Sequence, residues 1–158
     1  LLDLDYNSLT GSVPPQLSAL TALTELGVSH NQLTGAIPSQ LSTLMELKRL
    51  SLSHNILRGT MPPQLADLTL MEGLYFNHNR LTGMIPSRLS SLTALTLLSV
   101  RGNQLTGTIP PQLGDLTSLL WLFLDDNQLS GTVPSDLCAI GLRIFWVDRA
   151  EVVCACCA

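Results

Sequence analysis

The stretch Leu47-Lys48-Arg49-Leu50-Ser51-Leu52-Ser53-His54-Asn55-Ile56-Leu57-Arg58-Gly59-Thr60-Met61-Pro62 decides the fold. Leu50-Ser51-Leu52 alternates apolar and polar residues, the period of a β-strand whose leucines point inward. Asn55 stands at the next turn, where its amide can both donate to and accept from backbone groups that a buried bend leaves unpaired. Gly59 tolerates positive φ at the following corner. Pro62, with no N–H and a fixed φ, bounds any short strand there. Leu65 and Leu68, three apart, suit a turn of 3₁₀ or α-helix on the outer side.

Working outward, the same unit recurs. Asn7, Asn31, Asn55, Asn79, Asn103 and Asn127 are each 24 residues apart, and the glycines from Gly11 to Gly131 and the prolines from Pro14 to Pro134 keep the same step. One unit alone leaves its leucine face wet, and stacked neighbours bury it continuously. Near the C-terminus the step slips by one, because Leu142 follows Leu119 by 23 residues. Leu142, Phe145 and Val147 still keep the strand spacing, which predicts a seventh, closing strand. Residues 1–141 are thus read as six 24-residue repeats, the first truncated, and residues 142–158 as a capping strand with a cysteine-rich tail.

Composition narrows the class. The chain has 158 residues, 35 of them leucine, with 13% charged, so it can bury a core and is not disordered. Eight Lys and Arg against twelve Asp and Glu give a net charge of −4, and no basic run is present that would neutralise phosphates. Nucleic acid is therefore not an expected partner. No apolar run reaches the roughly 18 residues that cross a bilayer. Leu1-Leu2-Asp3-Leu4 has neither the basic start nor the apolar stretch of a signal peptide.

The unit resembles the plant-type extracellular leucine-rich repeat, L-x-x-L-x-L-x-x-N-x-L-[TS]-G-x-[IV]-P-x-x-L-x-x-L. The second repeat carries the pattern at Leu23, Leu26, Val28, Asn31, Leu33-Thr34-Gly35, Ile37-Pro38, Leu41 and Leu44. The likeness runs from residue 1 to about 142, with Met71, Arg58 and Met61 as mild departures. It implies an α/β fold: a right-handed leucine-rich repeat solenoid with a parallel concave sheet and short 3₁₀ or helical turns on the convex side. It also implies a binding module of a secreted or ectodomain protein, extracellular, without catalysis or cofactor. Asn31, Asn55, Asn79, Asn103 and Asn127 would form the structural ladder. The first strand lacks its leading leucine and a polar cap, so either these residues belong to a longer chain or this end docks on an apolar neighbouring subunit. Cys138, Cys154, Cys156 and Cys157 resemble the disulfide-bonded C-terminal cap of secreted members, most of all the cysteine-rich tails of algal ones. A cysteine is expected there after Val-Asp, where this chain has Arg149. Four cysteines allow three pairings, and a metal site on the Cys154/Cys157 spacing is the less favoured alternative.

The variable positions between inward leucines form columns on the concave face. One column runs Tyr6, His30, His54, His78, Gly102, Asp126, so the three histidines stack on adjacent strands about 4.8 Å apart. A metal or pH-gated contact is conceivable there, but a solvated polar edge is the preferred reading, and no metal is assigned. The middle column runs Asp3, Gly27, Ser51, Tyr75, Ser99, Phe123, Trp146, and its neighbour Glu25, Arg49, Gly73, Leu97, Trp121, Ile144. Trp121, Phe123, Ile144 and Trp146 should meet near the C-terminal end as an aromatic interface patch, unless the tail folds over them. Lys48, Arg49 and Arg101 give the middle of the face a basic character. The expected ligand-binding set is Tyr75, Arg101, Trp121, Phe123 and Trp146 with His30, His54 and His78.

Six or seven strands project a concave area on the order of 400 Å², about half of what one side of a standard protein interface needs. A peptide, a glycan or part of a larger protein footprint fits that size. The hydroxyl column Thr10, Thr34, Thr82, Thr106, Ser130 is similar to those of ice-binding solenoids, but Arg58 interrupts it, and satisfying the corner before Gly is the preferred role. No G-x-S-x-G, P-loop or H-E-x-x-H segment supports catalysis. The reading is a non-catalytic extracellular module that binds a protein, peptide or glycan on its concave face. The alternative is a structural subunit that stacks end to end.

Overall fold

The computed structural model describes residues 1–148 and the backbone of Val152–Val153. In chain order the strands are β1 (Leu2–Asp3), β2 (Thr10–Ser12), β3 (Glu25–Gly27), β4 (Gln32–Thr34), β5 (Arg49–Ser51), β6 (Arg58–Gly59) and β7 (Gly73–Tyr75). They continue as β8 (Arg80–Gly83), β9 (Leu97–Ser99), β10 (Gln104–Thr108), β11 (Trp121–Phe123), β12 (Gln128–Thr132), β13 (Ile144–Trp146) and β14 (Val152–Val153). The odd-numbered strands up to β13 form one seven-stranded parallel sheet in sequence order. Leucine lies on leucine across it: Leu26, Leu50, Leu74, Leu98 and Leu122 are successive register partners, and Phe145 closes the row. All five leucines are buried. The expected seventh strand is therefore present as β13.

Each coil returns over the convex side through a 3₁₀ turn that starts one residue after a 24-period proline, as in Pro63–Asp67, and the last coil through a short α-helix, α1 (Ser135–Ala139). The proline carbonyl accepts the N–H of the leucine three residues on, for example Leu65 to Pro62 at 3.1 Å. That leucine drops into the core, whereas the exposed polar residues around it face water.

Beyond the asparagine turn lies a second parallel surface, which the sequence reading bounds with proline but does not resolve as a sheet. It comprises β2 with β4, and β6, β8, β10, β12 and β14. Its hydroxyl column donates one coil backward, Thr34 to Gly11 O at 3.1 Å and Thr82 to Gly59 O at 3.4 Å, instead of closing its own corner.

The asparagine ladder is complete. Each side chain accepts the N–H two residues past the asparagine of the preceding coil, as Asn79 Oδ1 does from Leu57 N at 3.0 Å. Its Nδ2 donates to a carbonyl of that preceding coil, here Leu52 O at 3.0 Å, and to Phe76 O of its own coil at 3.2 Å. The residue before each asparagine is left-handed: Tyr6, His30, His54, His78 and Asp126 have φ between 52° and 56°, and Gly102 has 66°. At the last described coil Asp148 takes over the role of a following strand, its two oxygens accepting Asp126 N and Asn127 N at 3.0 Å each. Cys138 on α1 is disulfide-bonded, while Cys154, Cys156 and Cys157 lie outside the described residues.

Candidate functional site on the concave face

The concave sheet places the expected columns in the expected register: Gly27 beside Ser51, then Tyr75, Ser99, Phe123 and Trp146. Trp121 is flanked by Leu97 and Ile144. Phe123 and Trp146 meet edge to face with ring centroids 5.8 Å apart, a favoured geometry of the ring quadrupoles. Trp146 is 49% and Ile144 39% exposed, while Trp121 and Phe123 are half-buried beneath this edge. The aromatic patch thus exists, with Trp146 as its most accessible ring. The tail that would cover it lies outside the described residues, apart from β14, whose backbone pairs with β12 on the outer sheet.

The middle of the face is less basic than the sequence reading holds. Arg101 Nε lies 3.1 Å from both Asp125 Oδ2 and Asp126 Oδ2, and its guanidinium carbon is 5.2 Å from the Trp146 ring centroid. Burial pushes the Asp125 carboxyl up, and Arg101 pulls it back in part. Lys48 pairs with Glu72 at 3.1 Å. Arg49 leans over Tyr75, 4.6 Å from the ring centroid. The neighbouring acids neutralise Lys48 and Arg101 locally, so column order alone overstates the field. The Tyr75 ring lies over Gly73, where a Cβ would come within 2.7 Å of it, and a hollow of about 250 Å³ opens between Arg49, Tyr75, Lys48 and Glu72.

Tyr6, His30, His54 and His78 form a continuous ring stack, with centroid spacings of 4.1, 4.1 and 4.4 Å. The shared left-handed backbone aims every ring the same way, which the preference for a solvated edge does not capture. Packing of rings on both faces of His54 removes water from it, and together with the charges of His30 and His78 this lowers its pKa from the ordinary value.

The column two residues before each asparagine is the one missing from the sequence reading: Asp5, Ser29, Ser53, Asn77, Arg101, Asp125. Ser29 and Ser51 hydroxyls are 2.6 Å apart, Ser53 Oγ donates to Asn77 Oδ1 at 2.5 Å, and Asn77 Nδ2 reaches His54 Nε2 at 3.4 Å. Ser29, Ser51, Ser53 and Ser99 are buried, so they make a bonded polar floor and not an open ligand surface. Reading that column by the same 24-residue step would have found it. Over Gly27 this floor sinks into a second hollow, of about 150 Å³, lined by Asp3, Asp5 and Glu25 together with Leu1 and Arg49.

Comparison with known proteins places the chain. A leucine rich repeat family profile matches residues 21–81 and 45–105, and a second leucine rich repeat profile matches residues 1–20 and 118–140. No curated protein sequence matches it. Among solved structures it is similar to a TDR receptor, at 38% identity and a TM-score of 0.86 over 87% of this chain and 24% of that one. It is similar to the plant peptide hormone receptor RGFR1, solved in complex with RGF2, at 36% identity and a TM-score of 0.82 over 84% of this chain and 21% of that one. It is also similar to a plant ice-binding protein, at 36% identity and a TM-score of 0.82 over 87% of this chain and 45% of that one. The chain therefore spans less than half the length of each of these relatives. It belongs to the leucine-rich repeat family, as a solenoid of the plant-type extracellular class.

Proposed function

We propose that this chain is an extracellular recognition module that binds a peptide or a segment of a protein along its concave face, with no catalysis of its own. The observation that carries this reading is the Phe123–Trp146 pair, which with Ile144 leaves large apolar side chains open on the sheet edge beside Arg101. Exposed aromatics in such a setting are the anchors that dominate interface energetics. Tyr75 with Arg49 provides a second foothold across the same wall. The likeness to the plant peptide hormone receptor RGFR1, solved in complex with RGF2, supports the same partner class.

The likeness to an ice-binding protein does not redirect this reading. On the outer sheet the hydroxyl column is broken by Arg58, and the next column carries Ala36 and exposed Met84 among its threonines. Among the described residues that surface carries no regular hydroxyl lattice. The test is a peptide and glycan array probed with the purified chain and with its Phe123→Ala/Trp146→Ala variant. Binding that falls by about tenfold or more, with unchanged circular dichroism, is the expected result, and unaltered binding refutes the concave-face reading.

A further inference from the structure

The concave wall is chemically polarised, with Asp3, Asp5 and Glu25 towards one end and Phe123 and Trp146 towards the other. Lys48 is met by Glu72, Arg101 by Asp125 and Asp126, and Arg49 lies over Tyr75. Asp3, Asp5 and Glu25 differ: among the described residues none of them has a cation within 4.0 Å. Asp3 Oδ1 accepts Asp5 N–H at 3.0 Å, and Asp5 Oδ1 accepts Ser29 N–H at 2.5 Å. These bonds orient both carboxylates without neutralising them. Glu25 on β3 is the register partner of Arg49, yet Arg49 turns toward Tyr75.

A Cβ on Gly27 would come within 3.0 Å of Asp5 Oδ1 and 3.3 Å of Asp3 Oδ1, so only glycine lets the two carboxylates lie this close to the floor of the hollow of about 150 Å³, which Glu25 and Arg49 also line. The Gly27 φ is not left-handed, which means that the backbone does not demand glycine there. At the other end of the same column stand Phe123 and Trp146. From β3 to β11 the sheet takes four strand steps, about 19 Å at 4.8 Å per step, which an extended chain covers in about six residues.

We infer that the concave wall selects an extended peptide that places one basic side chain or amino group in the Gly27 hollow and, about six residues away, a large apolar side chain on Phe123 and Trp146. This inference rests on the concave-face reading and names its partner. Complementary charge at one end fixes register and orientation, while the aromatic end anchors. A peptide that is acidic at the first position is rejected, because its charge would face the carboxylates of Asp3, Asp5 and Glu25.

The test uses synthetic twelve-residue peptides of Gly and Ser that carry one Lys and one Trp, separated by zero to seven residues in either order. They are titrated onto the purified chain by fluorescence anisotropy. Affinity is expected to peak near five or six intervening residues in one order and to fall about tenfold when Lys is replaced by Glu. Asp5→Asn/Glu25→Gln and, separately, Gly27→Val should abolish the spacing preference while leaving binding of a Trp-only peptide unchanged. Circular dichroism checks that each variant folds. Binding that depends on Trp146 but ignores the Lys overturns this inference and leaves the concave-face reading intact. If no peptide responds to Trp146→Ala, both are overturned.

Discussion

Replacing Asn79 by alanine probes the joint between coils. In the wild-type chain Asn79 is 8% exposed and makes four bonds, to Leu57 N, Leu52 O, Phe76 O and Asn77 O. The losses are unequal. Leu52 O is also served by Asn55 Nδ2 at 3.1 Å, Phe76 O by Asn103 Nδ2 at 3.0 Å, and Asn77 O by His54 N at 2.9 Å. Each carbonyl therefore keeps a partner in the variant. Leu57 N–H has no such reserve, and Leu57 is fully buried. One orphaned buried donor costs about 1–3 kcal/mol, and thinning three already paired carbonyls adds a smaller amount, so the whole change should cost about 2–3 kcal/mol. Asn7→Ala is the internal control, because the Asn7 amide only donates to Leu4 O and Asp5 O and is exposed. Its loss should stay within about 0.5 kcal/mol. Urea unfolding followed by circular dichroism gives both midpoints. Equal midpoints for the two variants would refute the claim that the ladder serves buried backbone.

Two further perturbations test the rim and the end. Burial and the neighbouring His30 and His78 lower the His54 pKa from its ordinary value, so the unfolded chain binds more protons than the folded one as this group titrates, and stability is full above about pH 6.5 and declines as pH falls. His54→Gln should flatten this acid-side loss between pH 7 and 5 in urea titrations, and parallel curves for the two proteins would count against it. Asp148→Ala should cost about 1 kcal/mol by stripping the acceptors from Asp126 N and Asn127 N. Amide exchange at Asn127 should speed up in the variant, whereas unchanged protection would show that water replaces the carboxylate without penalty.

Most of the fold is legible in the chain because its period is. A 24-residue step in three residue types dictates which side chains share a row, and the register of Tyr75, Phe123 and Trp146 follows from counting. The parts that escape are those in which a side chain chooses among neighbours. Arg101 has its carboxylates 24 and 25 residues downstream, and nothing in the column order says that it will take them in preference to a ligand. The serines look like open surface by position, but their short side chains sink between longer neighbours and bond to one another. The histidine stack needs the left-handed backbone at the residue before asparagine, and bulky residues adopt that conformation only where the structure over-determines it. Asp148 has no counterpart in the repeat and becomes intelligible only beside the amides that it caps.

Every ladder asparagine reaches back by one coil and never forward, with fixed offsets of 22 and 27 residues. Excising or duplicating any 24 residues leaves those offsets intact, whereas an insertion of one residue inside a coil would desynchronise them all at that point. Variation in length should therefore be quantised, with whole turns of the spiral gained or shed as interchangeable cassettes. An engineer could lengthen the concave wall by copying Leu47–Leu70 in frame without redesigning a single joint.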